Sequence, residues 1–414
     1  MGQLSSSTWA LLAVALLIAA AELAGLAARR LRQPRVVGII ACGMVLGSVH
    51  SALPDELAAA VLPPAVEGPL HLLAQLGLVL LMFVVGQELR PARDGTSTRP
   101  PLWVLAANVT VPVALGSLAA LPLLRLLTGG RSLAGALFVG LALAVTAVPV
   151  LISILGELGA TDGRVPRLAV GVAVWNDGIV WMIVTVLVAV GAARGRLDVP
   201  RILLAAGALV LVVTVLPRVA AAMEHRAALL PVMLSAAIFG AVATDALGAH
   251  AAVGGIVAGL AMPRLAGVES ASVTVKAFTE AALLPLFFVD MARQAPLQSL
   301  SALTGWALPG AALLLVAAVG SKAVCAAVTG RAAGLRRGDT VALGVLLNCR
   351  GVTEFAIAAI GLQAGLVNGT GFAALAVLAL LTTCSTTPLL RLLSRRGVSL
   401  APSRAAEQDL VPAA

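Results

Sequence analysis

Asp177 sits in the apolar run Val174-Trp175-Asn176-Asp177-Gly178-Ile179-Val180-Trp181, and no other charged residue occurs between Arg167 and Arg194. Desolvation penalises the ionised form of an acid. A carboxyl in such a run can keep a proton, or surrender it to a desolvated cation, but it cannot hold both. That alternation is the minimum machinery for exchanging one for the other. A hydrogen bond between helices is the plainer use of the same side chain. Asn176 adds a carbonyl oxygen and an amide and cannot ionise, so one titrating carboxylate stands here rather than two. The pair therefore predicts one proton against one monovalent cation, with no net charge moved. Thr146 lies in Val145-Thr146-Ala147-Val148-Pro149. The expectation for Pro149 is that it removes one helical hydrogen bond and crowds the Val145 carbonyl. The Thr146 hydroxyl then lies beside freed carbonyls, and hard cations prefer such oxygen ligands. The competing account has Thr146 bonding its own i−4 carbonyl.

A second segment, Asn348-Cys349-Arg350-Gly351-Val352-Thr353-Glu354, places two charges and a glycine at membrane depth. Arg350 cannot carry protons, because a guanidinium does not deprotonate. Its expected part is fixed positive charge, offsetting exposed carbonyl ends or pairing Glu354, which lies at i+4 on the same helical face. Asp245, Asp290 and Lys322 are secondary candidates, with Glu22 and Glu88 nearer span ends. Asp245 is followed closely by His250 and is expected near the outer surface, while Asp290 could line a pathway. Cys42, Cys325, Cys349 and Cys384 form no CxxC pair and read as small buried residues. No phosphate-binding loop, resident metal cluster or nucleophile–base set appears. The sequence thus makes no case for an enzyme or a cofactor, and the only metal expected is a transported Na⁺ or K⁺ passing through Asp177.

The elements that must carry these residues are membrane helices. Of the 414 residues 60% are hydrophobic and 11% charged, and the mean hydropathy is +1.03. Soluble domains carry roughly 25% charged residues. The net charge of +9 does not indicate nucleic-acid binding, because the basic residues punctuate apolar runs instead of lining one face. About thirteen spans are expected, near 8–28, 34–51, 70–88, 101–127, 133–156, 166–191, 201–222, 229–247, 249–263, 277–292, 302–329, 339–363 and 369–393. Each is helical, since a spanning backbone must satisfy its own hydrogen bonds. With the N-terminus outside, most Arg and Lys fall in inner connections, Arg29, Arg30, Arg90 and Arg93 among them, and few in outer ones such as Arg194 and Arg196. The C-terminus is then cytoplasmic, and residues 394–414 form a short tail. Interrupted helices at matching places in two inverted halves point to a transporter's binding site.

At these residues the chain resembles the cation/proton antiporters of the second monovalent-cation antiporter superfamily, and within it the branch of plant and fungal cation/H⁺ exchangers. The matching segments are TAVPVLISILGELGATDGRVPRLAVGVAVWND (146–177), ATDALGAHAAVGGIVAGLAMPR (243–264), LLPLFF (283–288) and LLNCRGVTEFAIAAIGL (346–362), with a weaker match at LRQPRVVGIIACGMVLGS (31–48). The resemblance implies an all-α, thirteen-helix inverted-repeat fold with two crossing broken helices, filling residues 1–393 of the bilayer and forming a homodimer. Residues 1–100 and 229–292 would make the dimer panel, 101–191 and 302–393 the moving core, and 201–222 a linker helix. It also implies that Asp177 binds the ion, that Thr146 belongs to the crossover and that Arg350 supports it. Electrogenic relatives carry a second Asp where this chain has Asn176. Three positions depart from the pattern: Ile39 where an acid is frequent, Ser153 for a frequent Arg, and Asp290 for a small residue.

Three other activities fit the same residues: proton-driven export of an organic or ionophore-complexed solute, a cation channel, and a membrane-embedded sensor without flux.

Overall fold

Long apolar segments with few polar interruptions fold here as helices, because no other structure satisfies a backbone away from water. The protein is described from a computed structural model, covering residues 6–88, 100–130, 133–160, 163–192, 203, 207–223, 229–247, 250–294, 307–396 and 398. The expected tail beyond residue 398 lies outside the described residues, as do the loop residues Arg90, Arg93, Arg194 and Arg196.

In chain order the helices are α1 (Ser6–Arg30), α2 (Arg35–Ala52), α3 (Asp55–Val61), α4 (Pro64–Glu88), α5 (Leu102–Thr128), α6 (Leu133–Ala144), α7 (Val148–Glu157) and α8 (Arg164–Ala192). There follow α9 (Gly207–Ala222), α10 (Leu229–Ala246), α11 (Ala251–Ala261), α12 (Ala266–Gln294), α13 (Ala307–Ala332), α14 (Arg337–Leu347), α15 (Val352–Gln363) and α16 (Gly369–Arg395). No strand occurs among the described residues. Among the described residues nine helices are long and apolar enough to cross a membrane; α14 and α15, bent by 45° at their break, make a tenth. The helices α6, α9 and α11 are apolar but shorter. The molecule is a multi-pass membrane protein.

Two differences from the sequence reading stand out. The span expected at 277–292 begins eleven residues earlier, at Ala266, so Lys276 lies within α12 and not in a loop. The polar face of its first half (Glu269, Ser270, Ser272, Lys276) lowers the local hydropathy without breaking the helix. The short helix α3 was not expected at all. It starts behind Pro54 with Asp55 and Glu56 in its first turn, where acids favour a helix N-terminus.

The chain divides into two units. The first holds Met1–Leu26, Gly38–Arg90 and Trp181–Ser299; the second holds Ala27–Val37, Pro91–Val180 and Leu300–Ala414. In the first, α4, α10 and α11 approach so closely that an added Cβ on Gly254 would lie 1.9 Å from the Gly240 carbonyl oxygen, and one on Gly259 would lie 2.0 Å from that of Phe83. Between apolar helices in lipid, such close backbone approach supplies the packing. In the second unit, Val148, Leu151, Ile154 and Leu155 of α7 pack with Leu343, Leu346 and Leu347 of α14 and Leu390 of α16.

Candidate functional site

Two helices of the second unit break among buried residues, and the breaks touch. The first lies between α6 and α7. Helix α6 ends at Ala144, Val145 to Ala147 leave the helical path, and α7 restarts at Val148. Pro149 does not act here as the kink that the sequence suggests. It stands in the first turn of α7, where its missing N–H would have no intrahelical acceptor anyway. The second break runs from Asn348 to Gly351, between α14 and α15. Gly351 is required by the crossing, since a Cβ there would meet Val150 Cγ2 at 2.5 Å and Ala147 Cβ at 3.3 Å. The Ala147 N–H donates to the Cys349 carbonyl (3.1 Å), and the Thr146 hydroxyl donates to the Leu347 carbonyl (2.9 Å). Thr146 therefore bridges the breaks rather than bonding within its own helix.

The last carbonyls of α6 have no acceptor role left inside the helix and are met by cations and an amide. Arg350 donates Nη1 to Ala142 O (3.2 Å) and Nη2 to Leu143 O (2.8 Å). Lys322 Nζ donates to Ala144 O (2.5 Å), which also accepts from Asn176 Nδ2 (2.6 Å). Positive charge at a helix C-terminus complements its dipole, so two side chains from α13 and the second break hold the end of α6. The irregular backbone at Arg350 is satisfied in turn by Thr383 of α16, which accepts from Arg350 N (3.0 Å) and donates to Arg350 O (2.5 Å).

Asp177 projects from α8 into this crossing, fully buried, and Oδ1 accepts the Thr146 N–H at 3.2 Å. Asn176 spends its amide on Ala144, which fixes which end of the side chain is oxygen; Oδ1, in a residue 2% exposed, has no hydrogen-bond partner among the described residues. Lys322 Nζ also donates to the Thr146 hydroxyl (2.9 Å), and Asp177 is among its charged neighbours. Arg350 Nη1 donates to Glu354 Oε1 at 2.8 Å, a pair with both side chains at or below 1% exposure.

The structure thus gathers Thr146, Asn176, Asp177, Arg350, Glu354 and Lys322 at one crossing, and Pro149 stands in the first turn of α7. Asp245 and Asp290 are elsewhere, in the first unit. Asp245 is exposed near the end of α10. Asp290 is buried on α12, where Oδ2 accepts from Gln294 Nε2 (3.0 Å) and pairs with His71 Nδ1 (2.9 Å). Lys322, a secondary candidate from the sequence, and Thr383, which the sequence reading does not single out, both lie at the crossing. The signal for Lys322 was present: a lone lysine in the otherwise apolar α13, and one of only two in the chain. Chemically the crossing offers carboxylate, amide, hydroxyl and carbonyl oxygens, arranged around an ammonium that already sits among them. Among the described residues no group of three His, Cys, Asp or Glu side chains could hold a resident metal.

Comparison with known proteins agrees with this architecture. The model of the family described as "sodium/hydrogen exchanger, transmembrane" matches residues 12–392. Cation/H(+) antiporter 17 of Arabidopsis thaliana is 29% identical over 384 residues, 90% of this chain and 47% of that protein. The Na(+)/H(+) antiporter NhaS4 of Synechocystis is also 29% identical, over 91% of this chain and 95% of its own length. K(+)/H(+) antiporter 1 of Saccharomyces cerevisiae is 26% identical over 92% of this chain and 46% of its own. The chain therefore spans about half the length of the plant and yeast relatives and nearly all of the cyanobacterial one. The solved structure of the sodium proton antiporter MjNhaP1 of Methanocaldococcus jannaschii superposes with a TM-score of 0.62 at 16% identity, covering 95% of this chain and 98% of that one.

Proposed function

This chain belongs to the sodium/hydrogen exchanger family, and from that premise we propose that it is a secondary antiporter exchanging H⁺ for Na⁺ or K⁺ at Asp177 without net movement of charge. The observation that carries the reading is the fully buried Asp177 carboxylate beside the free Asn176 carbonyl and the Thr146 hydroxyl, at the crossing of two broken helices. Protonated, Asp177 is neutral; ionised, it is an oxygen ligand for a monovalent cation, with Asn176 Oδ1, Thr146 Oγ1 and a break carbonyl as further donors. Because one carboxylate serves both, the two ions compete. Asn176 adds no second titrating acid, so each turnover exchanges one proton for one cation.

Lys322 changes the detail of this scheme. Its ammonium occupies Ala144 O and Thr146 Oγ1, two of the oxygens that an incoming cation needs. Cation binding therefore displaces an internal cation, and the resting site is already electrostatically filled. Arg350 and Glu354 hold the crossover: the guanidinium caps Ala142 and Leu143 and is itself fixed by the carboxylate.

The wider frame of the proposal follows the sequence. Taking α6, α9, α11 and the bent α14–α15 pair as spanning segments, with α7 continuing α6, brings the number of spans to thirteen. Residues 1–100 and 229–292 then act as a dimer panel, 101–191 and 302–393 as the moving core, and 201–222 as a linker. The arginine-rich connections favour a cytoplasmic C-terminus in the cell membrane.

The test is pH-dequenching in proteoliposomes with Na⁺, K⁺ and Li⁺, on the native protein and Asp177→Asn. Native protein is expected to give saturable, cation-triggered proton efflux, with an apparent KM for the cation that rises as pH falls. Asp177→Asn is expected to be inactive, and exchange by that variant overturns the assignment. Conductive flux instead of exchange selects the channel reading.

A further inference from the structure

Among the described residues, four charged side chains are buried in the second unit: Asp177, Glu354, Lys322 and Arg350, each at or below 1% exposure. With Asp177 ionised the two acids offset the two bases; with Asp177 protonated one positive charge is left over, the same net charge as when a bound cation replaces that proton. Their hydrogen bonds are unevenly spent. Arg350 is committed three ways, to Ala142 O, Leu143 O and Glu354 Oε1. Lys322 is committed to Ala144 O and Thr146 Oγ1. Glu354 Oε2 is buried and has no hydrogen-bond partner among the described residues. An unmatched carboxylate oxygen in so dry a place is costly, and the exchange mechanism drawn above makes no use of it.

Its surroundings supply a use. Lys322 and Arg350 donate to successive carbonyls of the same helix end, Ala144 and Leu143, so the lysine and the guanidinium that holds Glu354 meet at one helix terminus. Asp177 and Glu354 are both charged neighbours of Lys322. A lysine head on a four-carbon stem can change partner by rotation alone. Resting on the reading that Asp177 carries the exchange, we infer that Glu354 Oε2 is a second seat for the Lys322 ammonium, taken when a transported cation occupies the oxygens that Lys322 otherwise holds.

The proton balance follows. The incoming cation displaces one proton from Asp177 and the Lys322 ammonium from Ala144 O and Thr146 Oγ1. The ammonium moves onto Glu354 Oε2 and keeps all its protons. One proton leaves for each cation bound. Without that seat, the displaced lysine would stay and obstruct the cation or shed its own proton, and shedding would make the exchange two protons for one cation and therefore electrogenic. Glu354 is on this account a positioning residue, through which a site containing a titratable lysine remains electroneutral.

The experiment uses the full chain in proteoliposomes with Na⁺ as the cation, at potentials set by gradients of a permeant lipophilic anion so that K⁺, itself a candidate substrate, is absent. Glu354→Gln is expected to raise the KM for Na⁺ about tenfold, the factor that ~1.4 kcal/mol represents, and to make the exchange rate depend on the imposed potential. The native protein is expected to be indifferent to it. In a Lys322→Gln background, adding Glu354→Gln is expected to shift KM no further, because nothing remains to be seated. A Glu354→Gln protein with native KM and no response to potential overturns the inference, as does an equal KM shift in both backgrounds, the signature of a purely structural partner for Arg350. If Glu354→Gln does not yield folded protein, Lys322→Arg decides. A guanidinium does not shed its proton, so electroneutral exchange by that variant supports a counter-ion that only moves, and loss of exchange overturns it. Activity in Asp177→Asn would instead sink the underlying reading and leave the Glu354 results without a site to explain.

Discussion

The two units spend their exceptions to apolar packing differently. In the first, the exceptions are glycines: Gly86, Gly254, Gly255 and Gly259 each bring backbone against backbone, with an added Cβ falling between 1.9 and 2.5 Å from a carbonyl oxygen of α4, α10 or α11. Its one buried charged residue among those described is Asp290. In the second, the exceptions are charges: Asp177, Lys322, Arg350 and Glu354, all at the place where two helices stop. Lipid offers no hydrophobic drive between helices, so close packing can hold a wall together. Buried charge stabilises no wall as well as close packing does, and is expected where ions are handled. The contrast therefore separates a unit built to stay packed from a unit built around chemistry.

Arg350→Met should break the second unit most severely. It leaves Glu354 buried without its partner and uncaps Ala142 and Leu143, and loss of one member of a buried pair costs about 3–5 kcal/mol. The expected outcome is a large fall in thermal stability of the purified protein together with loss of exchange. A stable, active Arg350→Met would mean that the charges of this unit are not what holds its broken helices.

Gly254→Val tests the first unit in its own terms. The new side chain would press on the Gly240 backbone, which cannot rotate away as a side chain can, and overpacking of this kind costs typically 1–3 kcal/mol. Less folded protein and a lower melting temperature are expected, while the protein that does fold keeps the native KM for Na⁺. A changed KM would show that the register of α10 and α11 reaches the ion site.

The same contrast governs what could be read in advance. Asp177, Asn176 and Thr146 stand out as candidates because a polar residue is conspicuous in an apolar run, and the Arg350–Glu354 pair, which the structure forms, because i and i+4 share a helical face. Lys322 is visible as a charge but not as a partner of the helix crossing, since 176 residues separate it from Thr146 and an apolar helix does not announce which face turns inward. Pro149 was misjudged for a local reason. A proline signals a break without saying on which side it falls, and here the break precedes it, at Val145 to Ala147. The start of α12 was lost because Glu269 and Lys276 depress hydropathy in a helix that is amphipathic at that end. Nothing in the sequence around His71 signals that it partners the buried Asp290, 219 residues away.

That last pair gives the mildest and most discriminating test. Asp290 lies in the first, glycine-packed unit, and its carboxylate is held by His71 at 2.9 Å and Gln294 at 3.0 Å. The His71 side chain is 48% exposed, so solvent screens much of what the pair contributes, and such pairs are worth about 0–1 kcal/mol. In Asp290→Asn the carbonyl oxygen still accepts from Gln294 or His71 while the charge is gone. A shift of at most a few degrees in melting temperature is therefore expected, with Na⁺ exchange retained and KM within about twofold of native. Ion handling needs a charge whose partners can be traded, and Asp290 is tied to residues of its own unit that take no part in the helix crossing. If removing its charge abolished exchange, the cation's route would have to include a carboxylate of the glycine-packed unit, and the division of labour between the two units would fail.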